Sequence, residues 1–298
     1  MTQFNSRRIS LSVLALSAVL SLPVLADSPV HVAAGTTHEG SIATRNSGVR
    51  VDDDARIEGS ISARNGGVRL GERVTAGDIE TRNGGVSIGA GSQLGSIESR
   101  NGAISIGAGS TVASVKTRNG GLRLGRDSTV SGAVETRNGK ISVAENVTVA
   151  GDLTARNGGI ELAAGSLIEG NATSRNGAIR LDKARVVGNL SSRTGDLVLR
   201  QASTVVGNLV IEISEGAGER GWFGFGRARY PEAGNIEILE DSEVTGDVIV
   251  VLPEDYDRDP PTVTIDATSR VLGQVQLDSR VQLLSDGPIS GGGDQTAL

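Results

Sequence analysis

The tripeptide Arg-Asn-Gly returns at Arg64, Arg82, Arg100, Arg118, Arg137, Arg156 and Arg175, with degenerate copies at Arg45 (Arg-Asn-Ser-Gly) and Arg193 (Arg-Thr-Gly). Successive Arg residues stand 18 or 19 positions apart throughout. Each copy is followed by an apolar-x-apolar pair such as Val86/Ile88, Ile104/Ile106 or Leu122/Leu124. Self-similarity at a fixed short period marks a unit that cannot bury its apolar side alone and does so by stacking on its neighbours. A chain built this way is quasi-one-dimensional, each repeat touching only the repeats beside it.

The composition fits that constraint. Among 298 residues there are 42 Gly, no Cys and only six aromatic residues, so the interior has to be thin and filled by Val, Ile, Leu and Ala. One unit reads as an apolar pair (Val86, Ile88), a small-residue turn (Gly89-Ala90-Gly91-Ser92), a third apolar residue (Leu94), a Gly/Ser step, a fourth (Ile97), and then Ser99-Arg100-Asn101-Gly102. Farther along, Val130, Gly132, Val134 and Thr136 alternate with Ser131, Ala133, Glu135 and Arg137, the period-2 pattern of a half-buried strand. No stretch of the array keeps a helical period. The expected fold is all-β, a single-stranded parallel β-helix with rungs of 18–19 residues.

Asn-Gly is also a hairpin signal, so an antiparallel meander is the rival. The run from Val86 to Ile97 has Gly and Ser where a long strand needs β-formers. A meander would also need a second sheet over its apolar face. Short strands with two or three corners per rung suit the pattern better. The apolar spacing of 2, 6 and 3 differs from the strict hexapeptide period of left-handed β-helices and points to a right-handed coil. At each corner Asn tolerates, and Gly prefers, left-handed backbone angles. Stacked rungs would align Asn46, Asn65, Asn83, Asn101, Asn119, Asn138, Asn157 and Asn176 as a ladder of amides, each donating to one neighbour and accepting from the other.

The N-terminus reads as a targeting segment. Arg7 and Arg8 precede an apolar run from Ile9 to Leu25, and Val24-Leu25-Ala26 is a cleavage site with a small residue at its end. The expected mature chain begins near Asp27, in the periplasm or at the cell surface of a bacterium. Ser6-Arg7-Arg8 weakly resembles a twin-arginine signal, but Ser10 stands where a large apolar residue is usual, so ordinary secretion is the better reading. Removing two Arg and no acid takes the formal charge from −6 to −8, which argues against a nucleic-acid role.

Residues 27–44 hold both His residues and read as a lead-in or first capping rung; residues 45–213 are the regular array. Residues 214–234 break the pattern with Trp222, Phe223, Phe225, Arg227, Arg229 and Tyr230. They are expected to form an insertion that either folds back over the core or contacts a partner, since aromatic plus Arg residues make interface hot spots and also suit a membrane surface. Residues 235–285 return to strands, and residues 286–298 read as a flexible tail. Asp255, Asp257 and Asp259 share only their spacing with a calcium loop. No metal, cofactor or catalytic residue is expected. Many parallel β-helices cleave acidic polysaccharides, but the outward positions Arg50, Arg69, Ser87, Ser105, Arg123, Ser142, Glu161 and Arg180 put no two acids on adjacent rungs, and Asp52-Asp53-Asp54 is the one dense acid cluster.

The Arg residues beside the Asn column form a second ladder: Arg64, Arg82, Arg100, Arg118, Arg137, Arg156 and Arg175, with Arg45 and Arg193 at its ends. Like charges one rung apart repel. Glu80, Glu98 and Glu135 are placed to offset them in part, and guanidinium groups can stack or bond turn carbonyls. The ladder reads either as a solvated face that discourages lateral aggregation or as a linear site for an acidic or phosphorylated glycan.

The units Val130-Ser-Gly-Ala-Val, Val149-Ala-Gly-Asp-Leu, Val187-Gly-Asn-Leu and Val244-Thr-Gly-Asp-Val resemble the Val-x-Gly-Asp-Ile rungs of bactofilins, a polymer-forming cytoskeletal family. The Thr-Arg-Asn-Gly-Gly-Val-x-Ile element is similar to rungs of bacterial adhesin-type β-helix domains. The resemblance spans about residues 40–285. It implies a right-handed β-helix that polymerises end to end without nucleotide. The leader and the 214–234 insertion are departures from bactofilins. The expectation is an exported, non-enzymatic structural or adhesin-like protein of the envelope whose partner is another copy of itself, or, alternatively, a module binding an anionic envelope polymer along the Arg ladder.

Overall fold

The computed structural model of the chain describes residues 25–26, 28–213 and 230–291. These form a parallel β-solenoid of about 13 turns, without a helix among them. The expected leader lies almost wholly outside the described residues; its last two, Leu25 and Ala26, pair with Ala43 and Thr44. Trp222, Phe223, Phe225, Arg227 and Arg229 also lie outside them.

A representative rung begins with Ile79–Thr81 in the first sheet, turns through Arg82-Asn83-Gly84-Gly85, and continues as Val86–Ile88 in the second. A second turn leads to Gln93–Leu94 in the third sheet, and a Gly-Ser step returns the chain to the first at Ile97–Ser99. Repetition builds sheets of 13, 13 and 12 strands, every neighbouring pair parallel. The strands are short because each corner sends the chain off before a fourth or fifth β-former is reached. Residues 28–44 already belong to this stack: Val30–Val32, Thr37–His38 and Ile42–Thr44 contribute one strand to each sheet.

Alternation fixes what is inside. In Val86-Ser87-Ile88 the two aliphatics are buried and Ser87 is exposed, and the same in–out–in pattern recurs along both long sheets. Ile61, Ile79, Ile97, Val115 and Val134 share one register position, so each aliphatic packs on the copy of itself a rung away. Rungs about 4.8 Å apart leave no room for a register slip that would turn these residues to water.

The interior is not wholly aliphatic. Ser92, Ser110, Ser128, Ser166, Ser203, Ser242 and Ser269 are buried at one position of the turn between the second and third sheets. Ser203 donates to the Arg200 carbonyl at 2.6 Å and accepts the Ala184 N–H at 3.2 Å; Ser242 repeats this with Leu239 and Ser203. A second buried column of Thr81, Ser99, Thr117, Thr136 and Ser174 bonds the Gly carbonyls of the Asn-Gly corner. These hydroxyls satisfy backbone groups that the corners would otherwise strand in the core.

Left-handed backbone occurs at a different place from the one expected. The Asn-Gly corners carry no positive φ. Apart from Gly40, at the step from the third sheet to the first, it falls at the turn after the second sheet, in Asp54, Arg73, Gly91, Gly109, Asp127, Asn146, Gly165 and Lys183 among others. The Gly of each Asn-Gly corner is needed for space: a Cβ on Gly84 would lie 2.2 Å from the Gly66 carbonyl oxygen, and one on Gly102 would lie 2.2 Å from that of Gly84. The column runs through Gly120, Gly139, Gly158, Gly177, Gly195 and Gly234 with the same backbone-on-backbone contact.

The two long insertions enter at this same corner. On the first sheet Leu190 pairs with Leu209, Leu209 with Val248 and Val248 with Val275, so consecutive rungs lengthen from 19 to 39 and then 27 residues. Tyr230, at the end of the first insertion, is buried and donates to Asp255 at 2.6 Å, within the second insertion. Tyr256 accepts the Ala233 N–H, and Arg280 reaches the Pro253 carbonyl at 2.7 Å while paired with Asp278. The tail begins later than expected. Ser290 donates to the Val271 carbonyl, Val271 donates to that of Pro288, and Ile289 packs against the core, so the chain stays attached through Gly291. Residues 292–298 lie outside the described residues.

Candidate functional site: the arginine–asparagine corner

Backbone pairing continues through the corner between the first and second sheets. The Asn83 N–H donates to the Arg64 carbonyl, Asn101 to Arg82, Asn119 to Arg100 and Asn157 to Arg137, all at 2.8–3.0 Å. Corners held at the strand spacing bring their side chains into columns. The Asn amides form one continuous chain: Asn65 donates to Asn46 at 3.0 Å, Asn83 to Asn65 at 2.9 Å, Asn101 to Asn83 at 2.8 Å, and Asn119, Asn138, Asn157 and Asn176 each to the preceding member at 2.7–2.8 Å. Thr194 closes the run against Asn176. All eight amides point the same way, so their dipoles add and each bond polarises the next.

The Arg row lies beside this chain, exposed from Arg64 to Arg175. The structure corrects two expectations about it. First, the acids two residues upstream do not pair with it. Glu135 bonds Lys116 at 3.0 Å, and among the described residues neither Glu80 nor Glu98 forms an ion pair with a ladder Arg. An outward neighbour on the next rung is about 4.8 Å away and one two residues along the strand about 6.6 Å away, so Glu135 takes the cross-rung cation. Second, among the described residues no guanidinium from Arg64 to Arg175 bonds a turn carbonyl. The Arg carbonyls accept Asn N–H groups, and the carbonyls of Gly84, Gly102, Gly120 and Gly158 accept buried hydroxyls. Elsewhere guanidinium groups do meet acids: Arg73 meets Asp54, Arg200 meets Glu237, Arg270 meets Glu243 and Arg280 meets Asp278. At the upper end of the row, burial and the neighbouring Arg175 hold the Arg193 pKa below its ordinary value.

Between the row and the outward residues of the first sheet runs a shallow groove of about 380 Å³. Arg100, Arg118, Arg137 and Arg156 form one side, and Glu98, Lys116, Glu135 and Thr154 form the other. The register of the first sheet sets that second side, with Glu98, Lys116, Glu135 and Thr154 stacked in turn. A second hollow of about 680 Å³ lies over the N-terminal rungs of the second sheet, along Gly48, Gly67, Gly85 and Ala103, with Arg50 and Arg69 beside it.

The acid clusters singled out in the sequence are engaged in local bonds. Asp52 accepts from His31 at 2.7 Å and Arg50 at 2.9 Å, which together hold its carboxyl below the usual range. Asp54 accepts two bonds from Arg73, and Asp53 takes the Glu72 N–H. Among the described residues no three His, Cys, Asp or Glu side chains cluster to hold a metal. Of the aromatic insertion, only Tyr230 is described, and its ring faces Tyr256 in the interior with centroids 6.0 Å apart.

A second outward ladder was not foreseen. At the step from the third sheet to the first, the side-chain oxygens of Asp152, Asn171, Asn189, Asn208 and Asp247 each accept the backbone N–H of the next rung at 2.8–2.9 Å. The Gly-Asp and Gly-Asn dipeptides in Val149-Ala-Gly-Asp and Val187-Gly-Asn carried that signal. The buried Ser column was legible as well, because each member stands six residues after the first inward aliphatic of the second sheet (Val86 and Ser92, Leu122 and Ser128, Ile236 and Ser242).

Comparison with protein-family models, with curated proteins and with solved structures finds no match.

Proposed function

We propose that the chain is an exported, non-enzymatic structural rod of the bacterial envelope, adhesin-like in build, that assembles end to end. The observation behind this is the form of its terminal rungs. Among the described residues, Gln282–Ser285 pairs only with Thr262–Ile265, and Val30–Val32 pairs only with Val49–Val51. Among the described residues each therefore has one strand edge unpaired, a template for another strand. Leu284 on the last strand is 47 % exposed and Leu272 on the rung below is 40 % exposed, both large aliphatics at the same end. Twelve rung steps of about 4.8 Å make a rod of roughly 58 Å, so a head-to-tail series would lengthen by about that much per copy.

The test is sedimentation and electron microscopy of the chain from Asp27 onward. Filaments, or a ladder of species lengthening by one rod each, support the proposal. A monodisperse monomer over a wide concentration range sinks it. Mass determination of the exported product checks the leader: a mature N-terminus far from Asp27, or a product retained in the cytoplasm, refutes export by cleavage at Ala26.

A further inference from the structure

We propose that the groove along the first sheet binds a thin, linear polyanion carrying about one negative charge per rung, of the polyuronate class, along the row Arg64–Arg175. This does not depend on end-to-end assembly, since the row runs along the side of the rod.

Four observations point to an external counter-charge. The row is continuous over seven rungs, and none of its members is ion-paired among the described residues, although the chain as a whole carries a formal charge of −6. Among the described residues no guanidinium of the row bonds a corner carbonyl; those carbonyls accept Asn N–H groups and Thr and Ser hydroxyls. The Asn chain and the Gly stack hold the corner backbone at the rung spacing, so seven Arg residues leave it about 4.8 Å apart and their like charges share one side of the rod. Beside Arg100, Arg118, Arg137 and Arg156 lies a shallow groove whose outward lining residues include Thr154.

The shape of the site selects the class of polymer. A twofold pyranose chain in extended form advances by about one rung per sugar and turns successive carboxylates to opposite sides, so alternate carboxylates of a polyuronate face the guanidinium row, and those between them face the far side, where Lys116 stands between Glu98 and Glu135. A single-stranded nucleic acid would need rings on which its bases stack, and the lining residues include none. A membrane surface would need a broad cationic and apolar patch, whereas this row is one residue wide. Six rung steps of about 4.8 Å span roughly 29 Å, which sets the oligomer length at which binding should saturate, about seven sugars.

The experiment uses the whole exported chain and oligogalacturonates of four, seven and twelve residues at low ionic strength, with binding followed by titration calorimetry. Affinity should rise from four to seven residues, level off by twelve and fall steeply on adding salt. Replacing Arg100, Arg118, Arg137 and Arg156 by Gln should weaken binding about thirtyfold, the product of four modest exposed ion pairs. Replacing Arg56, Arg123, Arg180 and Arg185 by Gln removes equal charge from the other two sheets and should change it less than threefold. Circular dichroism and the melting temperature of both variants check that the fold is kept. The proposal is overturned by equal losses in the two variants, by affinity indifferent to length, by tighter binding of oligothymidylate or anionic vesicles, or by no binding to any oligogalacturonate at low salt.

Discussion

Gly120 and Gly121 are adjacent and look alike in sequence, yet they should respond oppositely to Ala. A Cβ on Gly120 would lie 2.2 Å from the Gly102 carbonyl oxygen and 2.5 Å from its carbon, both backbone atoms locked in the rung below. Relief needs that corner to open by about 0.8 Å or more before an ordinary tight contact is reached. The bonds crossing the gap are the Asn119 N–H to the Arg100 carbonyl and the Asn119 amide to Asn101, at 2.9 and 2.7 Å. Losing or stretching both, with the strain of overpacking, gives a cost of about 3 kcal/mol. A Cβ on Gly121 meets only the Lys140 carbonyl, at 3.3 Å, and φ there is not in the left-handed region. Ala103, Lys140 and Ala178 occupy the same place in other rungs. Gly121→Ala should be neutral within about 0.5 kcal/mol, or stabilising by a similar amount because the unfolded chain loses freedom. Urea titrations of both variants, with circular dichroism as the probe, measure the difference. A solenoid can melt in segments, so hydrogen exchange at Asn101, Asn119 and Asn138 should accompany them. Equal effects, or a larger effect from Gly121→Ala, would refute the claim that backbone contact rather than backbone angle makes Gly necessary at the corner.

Two further perturbations test the columns and the C-terminal knot. Asn119→Ala removes one donated and one accepted amide bond, so it should cost about 1–2 kcal/mol in urea titration, whereas Asn46→Ala at the column's start removes one and should cost about half as much. Arg280 bonds to Asp278 and holds that carboxyl below its ordinary value of 3.8, so folding is favoured while the acid is ionised; this contribution is complete above pH 3.8 and is lost as pH falls through the lower folded value. Tyrosine emission from Tyr256, which Arg280 covers at 5.9 Å, should report loosening of the last rungs under acid, and Asp278→Asn should show that loosening already at neutral pH.

Much of this architecture was legible because a strand's period and a rung's period both leave marks in sequence. The 18–19 residue return of Arg-Asn-Gly gave the rung, and the inward pairs such as Val86/Ile88 gave the buried faces. The Asn column followed from the constant place of Asn in the rung. What failed was physical detail that only a neighbouring rung can decide. Asn-Gly suggested a left-handed turn, because that is what the dipeptide does in isolation. In the stack its Gly is fixed by a carbonyl 18 or 19 residues earlier, and the left-handed residues, Asp54, Arg73, Asp127 and Asn146 among them, sit at a turn whose sequence varies too much to announce it. Likewise Glu135 stands two residues before Arg137 but lies closer in space to Lys116, nineteen residues away.

The sequence by itself determined that the chain is a parallel β-solenoid, how long its rungs are, which aliphatics line the core and where the array is interrupted. These are set by local periodicities of 2 and 18–19, and they persist whatever the neighbouring rung contributes. Only the tertiary structure decided which polar groups are spent and which stay available. That depends on the competition among acceptors one rung apart: the carbonyls of the corner go to Asn N–H groups and buried hydroxyls, the acids go to Lys116 and to more distant Arg residues, and the guanidinium row from Arg64 to Arg175 is left facing water along one side of the rod.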